Sequence, residues 1–111
     1  MKHYESDQEI AAIVTGFETC TTGVDDFSHR DHLTVAVAYL RTSTPEQAFQ
    51  KMCAGLLRFL DHHEVGRAKY DEALTMKWIK RIQETIEELN PALSLLETTN
   101  EVVNRFANSR L

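Results

Sequence analysis

The chain has 111 residues, of which 42% are hydrophobic and 26% charged, and its formal net charge is −5. A chain of this length forms one domain and buries roughly 65% of its unfolded surface, enough for a core without disulfides or metals. The acidic balance and the scattered Lys and Arg residues argue against nucleic-acid binding. No apolar stretch is long enough to span a membrane, and the polar start of the chain does not resemble a signal peptide.

The two cysteines, Cys20 and Cys53, form neither a disulfide framework nor a CxxC pair. Together with the lack of an export signal, this favours a cytoplasmic protein with free thiols. Cys53 lies at helical spacing beside Met52 and Leu56, so we interpret it as a core thiol rather than a nucleophile.

The first predicted helix runs from about Asp7 to Glu18. Ser6 and Glu9 have the spacing of a capping box. Apolar residues then follow on one helical face, at Ile10, Ile13, Val14 and Phe17. The stretch 19–27 contains a glycine and two aspartates and is typical of a loop.

The second predicted helix begins after Ser28, a favourable N-cap, with Asp31 near the positive end of the helix dipole. Its apolar stripe lies within residues 33–40, and it ends near Thr42-Ser43. The β-branched residues in this run also fit a strand, but strict alternation is missing, which favours a helix.

The third predicted helix begins with Thr44 as its cap, Pro45 at its first position and Gln47 completing a capping box. It fades near residues 62–66. Gly55 lies inside it at a cost of about 1 kcal/mol relative to Ala, which indicates close packing against another helix.

The fourth and longest predicted helix runs from about Asp71 to Leu89 and ends before Pro91. Residues 92–96 would form a short turn, and Thr99 or Asn100 would cap a last short helix. The sequence therefore predicts an all-α fold. We expect one domain over residues 1–111, a bundle of four main antiparallel amphipathic helices plus a short C-terminal helix.

His29 and His32 are three residues apart at the start of the second helix, on the face that carries its apolar stripe. A helix N-terminus disfavours positive charge, so both imidazoles should tend to be neutral, as a metal ligand or general base must be. The alternative is structural: one histidine caps the helix while the other makes a buried hydrogen bond.

A second cluster opens the fourth helix and comprises Tyr70, Asp71, Glu72, Thr75 and Trp78. Asp71 alone is most simply a helix cap. If the helices alternate in direction, this cluster meets the histidine pair at one end of the bundle, together with the end of the third helix. His29, His32 and His63 with an acidic residue would then suit zinc or non-haem iron.

A spaced pattern runs through both clusters and resembles a small bacterial all-helical family with no known activity. It reads Phe27-x-His29-x-x-His32-Leu33-x-x-Ala36-x-x-Tyr39-Leu40, then Tyr70-x-Glu72-x-x-Thr75-x-x-Trp78. The resemblance implies that His29, His32, Tyr70, Glu72 and Thr75 form one site. The family has a histidine where this chain has Asp71, although a carboxylate can also bind metal.

Two interpretations of function follow. In the first, the clusters form a polar pocket that binds a small molecule or a divalent metal, with His29 and His32 as ligands or base, Asp71 or Glu72 as acidic partner, and Tyr70 and Thr75 as hydrogen-bond donors. Whether such a pocket is catalytic stays open. In the second, the chain is a homodimeric interaction module. It would use apolar residues in excess of those that one packing seam between helices requires: Ile79, Leu93, Leu95, Leu96 and Val102.

Overall fold

The computed structural model describes residues 3–108, which fold into five helices and contain no strand. The helices are α1 (Asp7–Glu18), α2 (His29–Thr42), α3 (Pro45–His62), α4 (Glu72–Glu88) and α5 (Leu95–Phe106). The predicted all-α class is therefore confirmed. None of the helices within this part of the chain is long and apolar enough to cross a membrane.

The helix starts follow the predicted capping chemistry at α2 and α3. Ser28 and Asp31 form a complete capping box, as do Thr44 and Gln47. The predicted box at α1 is only half formed: the Ser6 side chain accepts from Glu9 N at 3.4 Å, but the Glu9 carboxylate bonds the backbone N–H of Glu5 instead. The acidic side chain thus reaches one residue further back.

The prediction for the last helix was wrong in its start and its importance. Ser94 caps it and forms a capping box with Glu97, so α5 begins at Leu95 rather than after Thr99 or Asn100. With 12 residues it is as long as α1. Thr98 and Thr99 are buried, although they were expected to precede the helix.

Helix α2 lies at the centre of the fold. Within residues 3–108 it is the one helix that packs against all four others. Its side chains from Leu33 to Val37 are all buried, followed by Tyr39 and Leu40. Neighbouring helices cover this part of α2 on every side, so residues 33–37 are buried beyond the single apolar stripe that the sequence predicted.

Gly55 on α3 marks the predicted close approach between helices. A Cβ added there would lie 2.5 Å from Cε2 of Phe17, whose side chain is fully buried. The Phe17 ring stacks on Phe27 at 4.9 Å between centroids and contacts Phe59 at 5.9 Å. The glycine therefore leaves room for an aromatic cluster between α1, α3 and the loop before α2.

Candidate functional site

A cavity of about 480 Å³ lies between α2, α3 and α4. The loops before α2 and α4 complete its wall with Val24, Phe27, Lys69, Tyr70 and Asp71. Most of the lining is aliphatic or aromatic. Its polar side chains come from the starts of α2 and α4, so both clusters singled out in the sequence border the same space.

Six of the seven predicted ligand-binding residues line this cavity. They are His29, His32, Tyr70, Asp71, Thr75 and Trp78. Glu72 is the exception: it is exposed and does not border the cavity, and its carboxylate accepts a long hydrogen bond of 3.4 Å from the Tyr70 hydroxyl. The placement is a geometric finding; the binding role of these residues stays a prediction.

His29 is held by the far end of α5. Its Nε2 lies 3.0 Å from the carbonyl oxygen of Phe106. A carbonyl oxygen only accepts, so Nε2 carries the hydrogen and, in the neutral ring, Nδ1 is left as an acceptor. The ring also meets Trp78 edge to face, with centroids 5.0 Å apart.

His32 has a different environment from His29. Its ring makes no hydrogen bond to any residue in 3–108 and packs against Phe27 with centroids 4.6 Å apart. The side chain is solvent-accessible, yet desolvation by the surrounding protein, with a smaller effect of nearby His29, lowers its pKa to about 4. The accessibility of the ring and its lowered pKa are both explained if the ring is open on the side that borders the cavity and covered by protein on its other side. The imidazole is then neutral and open to a ligand.

His63 does not join the other two histidines in a metal site. Ring contacts run from His32 through Phe27 and Phe59 to His63, with centroids 4.6, 5.2 and 4.5 Å apart in that order. His63 does not line the cavity, and its buried Nε2 has no hydrogen-bond partner among the described residues.

Within residues 3–108, no group of three or more His, Cys, Asp or Glu side chains is placed to hold a metal ion. The expected triad of His29, His32 and His63 is therefore not brought together among these residues. The rings of Phe27 and Phe59 connect His32 to His63 through successive contacts, so the two histidines do not meet each other.

Asp71 and Thr75 both serve the first turn of α4. Asp71 is the N-cap, and its Oδ1 accepts from Leu74 N at 2.9 Å, as the capping interpretation predicted. The Thr75 hydroxyl donates to the Asp71 carbonyl oxygen at 2.9 Å. Its single hydrogen is used there, so toward the cavity Thr75 offers acceptor lone pairs rather than the predicted donor.

Tyr70 and Cys53 form a polar contact at the edge of the site. Burial raises the pKa of the Tyr70 phenol, and nearby Cys53 and Glu72 raise it further, so the hydroxyl keeps its proton and remains a donor. Burial also raises the pKa of the Cys53 thiol. A protonated, buried thiol is a poor nucleophile, in agreement with its interpretation as a core residue.

Several lining residues were not predicted. Phe27 and Phe59 belong to the aromatic cluster, while Val24, Leu74 and Lys69 lie on exposed parts of the wall. Val24 and Leu74 expose 41% and 37% of their surface, which is unusual for large apolar side chains and places them at the solvent side of the cavity. Of these, Phe27 gave a signal in the sequence as the first residue of the spaced pattern, and Phe59 gave one as an aromatic residue that could line an apolar pocket.

Some of the apolar residues expected to form a dimer surface are buried in the core of the chain. Ile79 and Val102 are buried within the chain, with 2% and 0% of their surface exposed. Leu93, Leu95 and Leu96 are half-buried. Two of the five residues thus belong to the core of the chain, and the homodimer stays a prediction.

No protein-family model matches the chain, and no curated protein or solved structure is similar enough to count as a match. The resemblance to the bacterial family with the spaced histidines therefore stays a prediction.

Proposed function

We propose that the protein binds a small, mainly apolar organic molecule in the cavity between α2, α3 and α4. The observation that carries this proposal is the open, neutral imidazole of His32 on the wall of a largely apolar cavity of about 480 Å³. Apolar cavities of about 300–1,000 Å³ with a few convergent polar groups are the usual form of small-molecule sites.

His32 supports a binding role because its ring lines the cavity and makes no hydrogen bond to any described residue. Both ring nitrogens are therefore open to a ligand, one as a donor and one as an acceptor.

The positions of the polar residues support the alternation of helices that the sequence suggested. The cavity is bordered by His29 and His32 in the first turn of α2 and by Thr75 and Trp78 near the start of α4. When three consecutive helices alternate in direction, the first and the third begin at the same end of the bundle. An antiparallel arrangement of α2, α3 and α4 is therefore part of the proposal.

A fluorescence titration with Nile red, a neutral dye whose emission rises in apolar surroundings, tests the proposal. Trp78 is the single tryptophan of the chain and lines the cavity, so its emission reports on the same site. We expect saturable binding of one dye per chain, with the dye and tryptophan signals changing together. Dye binding that leaves Trp78 emission unchanged would contradict the proposal.

A matched pair of variants on α4 locates the dye. Thr75→Phe adds a ring on the cavity wall, whereas Ala73→Phe adds the same ring at an exposed position outside the lining. We expect the first to weaken Nile red binding at least tenfold and the second to leave it unchanged. Equal affinity in both variants would place the dye elsewhere and overturn the proposal.

A further inference from the structure

We propose that the ligand of this cavity is a flat aromatic molecule, uncharged where it meets His32 and carrying a hydroxyl or N–H group that bonds to the His32 ring. This inference rests on the proposed binding function and adds the chemical class of the ligand. It depends on three features of the lining: its aromatic rings, the neutrality of its interior and the position of its charges.

Aromatic rings form an unusually large part of the wall. Six ring-bearing side chains line the space, namely Phe27, His29, His32, Phe59, Tyr70 and Trp78. His29 and Trp78 meet edge to face, and Phe27 contacts both His32 and Phe59. Aromatic pairs gain about 0.5–1.5 kcal/mol beyond area burial in stacked or edge-to-face geometry. A flat aromatic guest can make such contacts on more than one side.

The interior of the cavity does not favour charge. The lining beside the His32 ring is mostly aliphatic and aromatic, and the surroundings that lower the pKa of His32 also disfavour an ionised ligand group placed against it. A neutral imidazole, in contrast, provides one N–H donor and one acceptor nitrogen. A hydroxyl or heterocyclic N–H is the ligand group that matches this pair without carrying charge.

The charged residues of the lining favour neither an acidic nor a basic ligand. Among the lining residues only Lys69 and Asp71 carry a full charge at neutral pH, and both are exposed. They have opposite signs and nearly cancel. One oxygen of Asp71 is already used as the cap of α4. A ligand charge would therefore find neither a complementary net charge nor an enclosed partner.

Displacement of Nile red by three naphthalene compounds tests the inference. Naphthalene has no hydrogen-bonding group, 2-naphthol adds a neutral hydroxyl, and 2-naphthoate adds a carboxylate. We expect 2-naphthol to bind about five- to tenfold more tightly than naphthalene, the gain of one hydrogen bond. The carboxylate should bind at least tenfold more weakly than the naphthol, because it must lose its hydration.

Two variants at His32 test whether its ring causes the preference for 2-naphthol over naphthalene. His32→Phe keeps a ring of similar size without nitrogen, so the advantage of 2-naphthol over naphthalene should disappear while naphthalene still binds. His32→Gln retains a donor and an acceptor and should restore most of the advantage. The same advantage in His32→Phe as in the wild type would overturn the inference.

The outcomes separate this inference from the function on which it rests. If Nile red shows no saturable binding, the proposed function fails. If Nile red binds but naphthalene equals 2-naphthol, the cavity binds ligands without using His32, and the inference alone fails. If 2-naphthoate binds most tightly and Lys69→Ala removes that preference, the ligand is an acid held at the mouth, which also overturns the inference.

Discussion

His29 and Phe106 join the first residue of α2 to the last residue of α5, with His29 Nε2 donating to the Phe106 carbonyl oxygen at 3.0 Å. The carbonyl belongs to the last turn of α5, where backbone oxygens lack a partner within the helix. The two histidines of the spaced pair therefore differ: one is held by the protein, and the other faces the cavity.

We predict that His29 is in the Nε2–H tautomer and that this bond stabilises the fold. His29→Leu should lower the free energy of unfolding by about 1–2 kcal/mol, because it removes the bond and leaves the Phe106 carbonyl unpaired. Nitrogen-15 NMR of the imidazole reads the tautomer, and urea unfolding measures the stability. His29→Gln, whose amide N–H can donate to the same carbonyl, is the control and should lose less. A His29 spectrum with hydrogen on Nδ1 would refute the assignment.

We predict that His32 makes the protein less stable as the pH falls. Its pKa is 6.5 in an unfolded chain and about 4 in the folded one, so between these values the unfolded state binds more protons. The stability present above pH 6.5 should decrease through this window and level off below about pH 4. Nearby His29 contributes to the lowering of the His32 pKa, and Lys69 and Asp71 are the charged residues of the same lining.

The size of this pH effect should be modest. Because the ring is accessible through the cavity, water screens its charge, and we expect a change of about 1–2 kcal/mol rather than the full value of the shift. The measurement is the free energy of urea unfolding between pH 4 and 7, compared between the wild type and His32→Gln. The difference between the two proteins should depend on pH in this window; a constant difference would mean that His32 titrates alike in both states.

We predict that Gly55→Ala destabilises the protein although alanine is the better helix former. The new Cβ would lie 2.5 Å from the buried Phe17 ring, and overpacking of this kind costs about 1–3 kcal/mol against a gain of about 1 kcal/mol in helix propensity. Thermal unfolding measures the net loss. In a Phe17→Leu background, which removes the ring edge, the same substitution should cost less or become favourable. An equal loss in both backgrounds would exclude the clash as the cause.

Local signals predicted the helices where the capping chemistry was complete. Ser28 with Asp31 and Thr44 with Gln47 placed two helix starts correctly, since these motifs act within one turn. The start of α5 was missed although Ser94 and Glu97 have the same spacing. Thr99 or Asn100 was predicted as the cap instead, because the burial of Thr98 and Thr99 depends on α2, far away in the chain.

The sequence predicted which polar residues lie near one another better than it predicted the contacts and hydrogen bonds that they make. Helical spacing put His29 and His32 on one face, and the start of α4 was correctly expected beside them. The exclusion of His63 follows from ring packing between Phe27 and Phe59, which are 32 positions apart in the sequence. The use of the Thr75 hydroxyl by the Asp71 carbonyl likewise depends on the backbone geometry of the first turn of α4.

A substitution at Asp71 separates its role as a cap from a role in binding. Asp71→Ala removes the acceptor for Leu74 N and should lower the free energy of unfolding by about 1 kcal/mol, whereas Asp71→Ser keeps an N-cap oxygen and should lose little. Urea unfolding measures both. Nile red affinity should be unchanged in each variant, because a neutral dye gains nothing from a carboxylate at the mouth of the cavity. Weaker binding in both variants would mean that the Asp71 carboxylate takes part in the binding site.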